Sequence, residues 1–130
     1  MKPRFDHITR RSLLVGMAAT GWTAAAQAKD ATALRLMMVR RKGCVYCAQW
    51  DREIAPIYGQ HPEGRAAPLV MLDIDGPYPD GLALDRMPWL TPSFILLNGG
   101  MEITRYEGYP GADHFFPMLG TMLARARASG

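Results

Sequence analysis

The stretch Leu34-Arg35-Leu36-Met37-Met38-Val39-Arg40-Arg41-Lys42-Gly43-Cys44-Val45-Tyr46-Cys47 decides the fold. Leu34 to Val39 is short and almost continuously apolar, the pattern of a largely buried strand. A basic run and a glycine end it, and two cysteines three residues apart follow at the start of a helical pattern. They are the only cysteines in the chain. If the turn opens a helix, Cys44 lies beside unpaired backbone N–H groups and the positive end of the macrodipole, which favour thiolate over thiol. A thiolate is the species that attacks disulfides.

Positions i and i+3 on a helical turn bring Cα atoms within the range of about 4.4–6.8 Å that a disulfide needs. The pair therefore opens and closes without moving the fold. Closing so short a loop removes little chain entropy, so a purely structural staple is a poor explanation. Covalent haem attachment requires histidine directly after the second cysteine, where Ala48 stands. A zinc site needs about four ligands, and outside the N-terminal leader only His61 and His114 are available, without paired spacing. No metal is expected, and no cofactor beyond the Cys44–Cys47 disulfide.

Outward from the cysteines, Cys44, Cys47, Ala48, Ile54, Ile57 and Tyr58 recur at helical spacing, with Gln49, Asp51, Arg52 and Glu53 on a wetter side. The spacing predicts a helix over 44–58 that Pro56 kinks or ends near Ala55. Cys47 falls on its inward side. After a Pro/Gly-rich loop, Ala67 to Ile74 reads as a second buried strand, and a helix between two such strands implies a right-handed crossover and a parallel pair. Gly76 to Pro88 reads as loop. Ser93 to Leu97, Asn98-Gly99-Gly100 and Met101 to Tyr106 form a hairpin signature, hence an antiparallel pair. Phe115, Phe116, Leu119, Met122, Leu123 and Ala126 mark an amphipathic terminal helix, with Asp113 as candidate N-cap and Pro117 blurring its start.

Residues 1–28 read as an export signal. Lys2, Arg4, Arg10 and Arg11 form a basic region, Leu13 to Ala26 is apolar and small, and Ala26-Gln27-Ala28 supplies the cleavage pattern. Thr9-Arg10-Arg11-Ser12-Leu13-Leu14 resembles a twin-arginine signal, and both this route and the general one stay open. The apolar part is shorter than the roughly 20 residues of a bilayer span. The expected product is a soluble exported domain over 29–130, in a compartment that tolerates disulfides. The leader holds four of the 15 basic and one of the 12 acidic residues, leaving eleven of each in 29–130. The mature part is neutral, and nothing in it asks for nucleic acid.

The order of strand, C-x-x-C helix, strand, Thr91-Pro92, hairpin and helix resembles the thioredoxin fold across residues 33–127. The resemblance implies an α/β domain with a short mixed sheet of about four strands, a parallel pair plus an antiparallel hairpin, flanked by helices. It also implies that the Thr91–Pro92 bond is cis and that Pro92 faces the dithiol. Cys44 to Trp50, Glu53 to Tyr58, Pro62 to Pro68, Thr91 to Phe94 and Glu107 to Gly111 are similar to SoxS-type periplasmic thioredoxins of bacterial sulfur-oxidation clusters. That likeness implies a periplasmic reductase that keeps a cysteine of a sulfur-carrier protein usable, with a membrane thiol transporter as electron donor. Cys44 would attack, Cys47 would resolve, and Thr91, Pro92 and Tyr46 would hold the substrate chain, with Trp89 and Tyr109 as further rim candidates.

Departures from cytoplasmic thioredoxin stand beside this. Gly43 replaces a tryptophan, Val45-Tyr46 replaces Gly-Pro, and Met38 stands where a buried proton-relay aspartate is found. The helix proline also comes nine residues after Cys47 instead of five. Asp51 and Glu53, one turn or so away, offer a substitute relay, although solvated helix carboxylates are the better description of them. Arg40-Arg41-Lys42 reads either as a solvated strand end or as a field that favours the Cys44 thiolate. Two rival functions remain: a thiol oxidant or isomerase, which reverses the direction, and a copper-binding or partner-binding module. Methionine is plentiful, but Met37, Met38 and Met71 fall on predicted core strands.

Overall fold

The computed structural model describes residues 33–129. Strand β1 (Leu34–Arg40) leads into helix α1 (Val45–Glu53), followed by two short helices, α2 (Ala55–Tyr58) and α3 (Pro62–Ala66). Strand β2 (Leu69–Asp73), a long loop, the hairpin β3 (Ser93–Asn98) and β4 (Met101–Glu107), and helix α4 (Ala112–Ala128) complete the order. The four strands form one sheet in the order β2-β1-β3-β4. β1 runs parallel to β2 and antiparallel to β3, and β3 to β4 is antiparallel.

β1 is central, which is why Leu36 to Val39 is buried throughout. Its alternation divides the core in two. Leu36 and Met38 face Cys47 and Trp50 of α1, Ile54 at its C-terminal cap, and Phe115, Leu119 and Leu123 of α4, while Met37 and Val39 join Leu72, Ile95 and Leu97 on the other face. Among the described residues, that second face is covered by Ile74, Tyr78, Leu82 and Leu84 of the 74–92 loop and not by a helix.

The loop is held against β4. Ala83 bridges Met101, and the nearly fully buried Glu102 carboxylate accepts the Asp85 N–H at 2.7 Å and two donors of Arg105 at 2.5 and 2.8 Å. Burial opposes ionisation of Glu102, but these donors outweigh it and leave its pKa below the usual carboxylate value. The loop therefore has a fixed path towards Trp89 and Thr91.

The proline break falls where expected: α1 ends at Glu53 and α2 restarts with Pro56 in its first turn. Three expectations need correction. The Pro/Gly-rich segment after α2 contains helix α3, because Pro62 sits in the first turn, where its missing N–H costs nothing. Strand β2 is an edge strand with Leu72 as its one buried residue, so Met71 is 45% exposed and is not core. The N-cap of α4 is Gly111, at φ 95°, a left-handed backbone that glycine adopts without strain; Asp113 lies inside the first turn.

Candidate active site

Gly43 stands at φ 77° between the basic run and the first cysteine. A side chain there would be strained by the backbone, a local reason for glycine where cytoplasmic thioredoxin carries tryptophan. The turn places Cys44 at the N-cap of α1 with extended backbone, and the Cys47 N–H donates to Cys44 Sγ at 3.1 Å. Cys44 and Cys47 form a disulfide with their Cα atoms 5.2 Å apart.

The two sulfurs sit in different surroundings. Cys44 is half-buried, whereas Cys47 is 1% exposed within the apolar cluster that holds Met38, Trp50 and Phe94. Once the bond is reduced, the helix-end N–H groups favour a thiolate on Cys44. Burial among apolar side chains favours a neutral thiol on Cys47. The outer sulfur is thus the more accessible of the two and the one beside the helix end.

The Thr91–Pro92 peptide bond is cis, as the resemblance implied. Pro92 is buried and its carbonyl accepts the Gly108 N–H at 2.7 Å, while the Ser93 hydroxyl donates to the Leu90 carbonyl at 2.5 Å. Both neighbours of Thr91 are therefore fixed. The Thr91 main chain itself makes no hydrogen bond to another described residue. It remains available for an extended peptide.

Tyr46 is 60% and Trp89 is 68% exposed, consistent with rim positions. Tyr109 is different: it is half-buried, packs against the main core, and its hydroxyl donates to Glu53 at 2.5 Å. Burial, then the Glu53 carboxylate, push its phenol well above the ordinary range. Val45 and Met87 are exposed apolar residues that sequence periodicity did not single out, since neither lies on a buried face.

Neither candidate relay carboxylate is free. Asp51 forms a two-pronged ion pair with Arg40, at 2.6 and 2.8 Å, and the Arg40 hydrogen bonds hold its pKa below the ordinary carboxylate range. Glu53 accepts from Tyr109 and from Gln49, which likewise lower its pKa. Both stay ionised in partnerships of their own. Of the basic run, Arg40 is committed to Asp51, whereas Arg41 and Lys42 are exposed. His61 stacks on Phe116 at 3.6 Å and pairs with Glu63 at 2.5 Å, and no group of three or more potential metal ligands occurs among the described residues.

A dithiol that opens and closes at the head of a helix, on this sheet and beside a cis-proline, makes the chain a thiol-disulfide oxidoreductase of the thioredoxin-like class. Among solved structures, the periplasmic thioredoxin SoxS from Paracoccus pantotrophus in its reduced form is 50% identical, with a TM-score of 0.70 over 72% of this chain and 98% of that chain. The chain belongs to the SoxS-type thioredoxins. A thioredoxin-fold protein from Helicobacter pylori (14% identity, TM-score 0.53, 70% of this chain and 69% of that one) shares the fold. So does thioredoxin-2 of the malaria parasite (17% identity, TM-score 0.51, 68% and 82%). No family model and no curated protein matches the chain.

Proposed function

We propose that this protein is an exported reductase that keeps a cysteine of another periplasmic protein in its thiol form, with residues 1–28 as the signal that takes it there. The observation that carries the proposal is the asymmetry of the sulfur pair, one capped by backbone N–H at the surface and the other sealed in the core. The reductant form is the dithiol. The Cys44 thiolate attacks one sulfur of a substrate disulfide, forms a mixed disulfide and releases the other substrate sulfur as a thiolate that takes up a proton.

Cys47 then attacks Cys44 Sγ, giving its proton to the departing substrate sulfur or to water. The substrate leaves with two thiols, and the protein keeps the two electrons' worth of oxidation as the Cys44–Cys47 disulfide. Thr91 pairs with the substrate backbone, and Tyr46 and Trp89 contact its side chains. The similarity to a periplasmic thioredoxin supports action in the periplasm; in this proposal the substrate is a sulfur-carrier protein and a membrane thiol transporter supplies the electrons.

Direction is tested by the reduction potential of the pair, equilibrated against a dithiol buffer. The expected value lies nearer the ~−270 mV of thioredoxin than the ~−120 mV of the strongest periplasmic oxidant. A value at the oxidising end would make the protein a disulfide donor and overturn the reductase proposal.

A further inference from the structure

A groove of about 510 Å³ opens on the flank of Cys44 away from Thr91, lined by Arg41, Lys42, Val45, Met71 and Asp73 among others. Strand order fixes the sides. Cys44 follows the central strand β1, the groove lies over the ends of β1 and β2, and Thr91 enters β3 on the other side of β1. An extended substrate crossing Cys44 therefore has one flank against Thr91 and the other in the groove.

The charges of the groove are uneven. Arg40, which also lines it, is matched by Asp51. Arg41 and Lys42 are exposed and form no ion pair among the described residues, against the single carboxylate of Asp73, one of whose oxygens accepts the Asp75 N–H. Val45 and Met71 add apolar surface to the same groove, 73% and 45% exposed. An open amphipathic groove with two unmatched cations beside a nucleophile suits a few residues of polypeptide bearing carboxylates.

We propose that this groove is a docking site for an acidic segment of the protein substrate, located on one side only of the cysteine that Cys44 attacks. This rests on the reductase reading, and it adds what that reading leaves open: which exported disulfides the protein prefers. Rim charges act on encounter and orientation more than on the chemical step, so the preference belongs in apparent affinity and falls with salt.

The test uses reduced wild-type protein in single turnover with synthetic peptides that contain one intrachain disulfide. Two Asp, two Ser or two Lys are placed on either the N-terminal or the C-terminal flank. At about 20 mM ionic strength, one Asp-Asp flank is expected to raise the second-order rate constant about five- to tenfold over Ser-Ser, through tighter half-saturation, and the opposite flank by less than about twofold. The advantage should shrink towards unity near 0.5 M salt, where the screening length falls to a few ångströms.

In an Arg41→Ser, Lys42→Ser double variant, the ratio of Asp-Asp to Ser-Ser rates should drop to about one. Any change in the Cys44 thiolate caused by losing these charges scales all peptides alike and leaves that ratio untouched. Equal gains from both flanks, no gain from either, or a preference that survives in the double variant would overturn the docking site. If the Ser-Ser peptide is reduced normally, only the docking site falls; if wild type reduces no peptide at all, the reductase reading falls and the docking site with it.

Discussion

Cys47→Ser is expected to convert the protein from a turnover catalyst into a trap. With the resolving thiol replaced by a hydroxyl, the attack by Cys44 on a substrate disulfide still proceeds, but the mixed disulfide has no internal route to release. Incubated with a protein disulfide such as insulin, this variant should accumulate a covalent adduct that dithiothreitol cleaves and that peptide mapping places on Cys44. Turnover should fall to the level of the free reductant. Cys44→Ser should be equally inactive yet form no adduct, because Cys47 is 1% exposed and lacks the helix-cap N–H contact. A loss of about a thousandfold or more in each single variant follows from two groups that act as one unit. Equal trapping by the two variants would mean that the sulfurs are interchangeable, which their surroundings contradict.

Trp50→Ala should be the most destabilising single core change near the site. Trp50 is fully buried one turn after Cys47 and touches three other rings, Phe115 at 6.0 Å, Phe94 at 6.1 Å and Tyr58 at 6.2 Å between centroids. Removing so large a side chain leaves a cavity where helices α1 and α4 meet the sheet, at a cost of about 3–5 kcal/mol. That is a large share of the roughly 5–15 kcal/mol that holds a small domain together. Trp50→Phe is the informative control. The indole N–H has no hydrogen-bond partner among the described residues, so phenylalanine removes an unsatisfied buried donor while keeping much of the apolar contact. The expected loss is under about 2 kcal/mol, read from urea unfolding midpoints at equal slope. If the two variants are equally destabilised, the indole N–H has an unseen role and the cavity argument is incomplete.

Much of the fold and the dithiol was legible because local rules and tertiary demands agree there. The apolar run before Cys44 had to be a buried strand, the cysteine spacing suits a helical turn, Pro56 interrupts the helix through its missing N–H, and Asn98-Gly99-Gly100 turns the hairpin. Pro92 was marked by resemblance; its sequence neighbours alone would have made it an ordinary strand-start proline. What stayed hidden depends on contacts between distant residues. Exposure of Met71 follows from β2 being at the sheet edge, which no property of its own sequence states. Ile74, Tyr78, Leu82 and Leu84 cover a sheet face from a loop, where no period betrays burial. The partnerships Arg40 with Asp51, and Glu53 with Tyr109, span 11 and 56 residues and occupy both candidate proton relays.

Those partnerships leave Cys47 without a carboxylate assigned to its proton, and Met38 adds none, since it is fully buried and apolar. In the proposed cycle, the departing substrate sulfur, or water reaching the site, accepts that proton. The asymmetry between the two sulfurs is the feature on which attack, trapping and release all depend. Its most direct test is timed alkylation of the fully reduced, natively folded protein across pH, with each cysteine followed separately by peptide mass. Cys44 should react first at every pH, with a midpoint below the ~8.5 of a free cysteine, and Cys47 should lag until the protein unfolds. Faster labelling of Cys47, or equal labelling of the two in the native state, would contradict the assignment of Cys44 as the nucleophile.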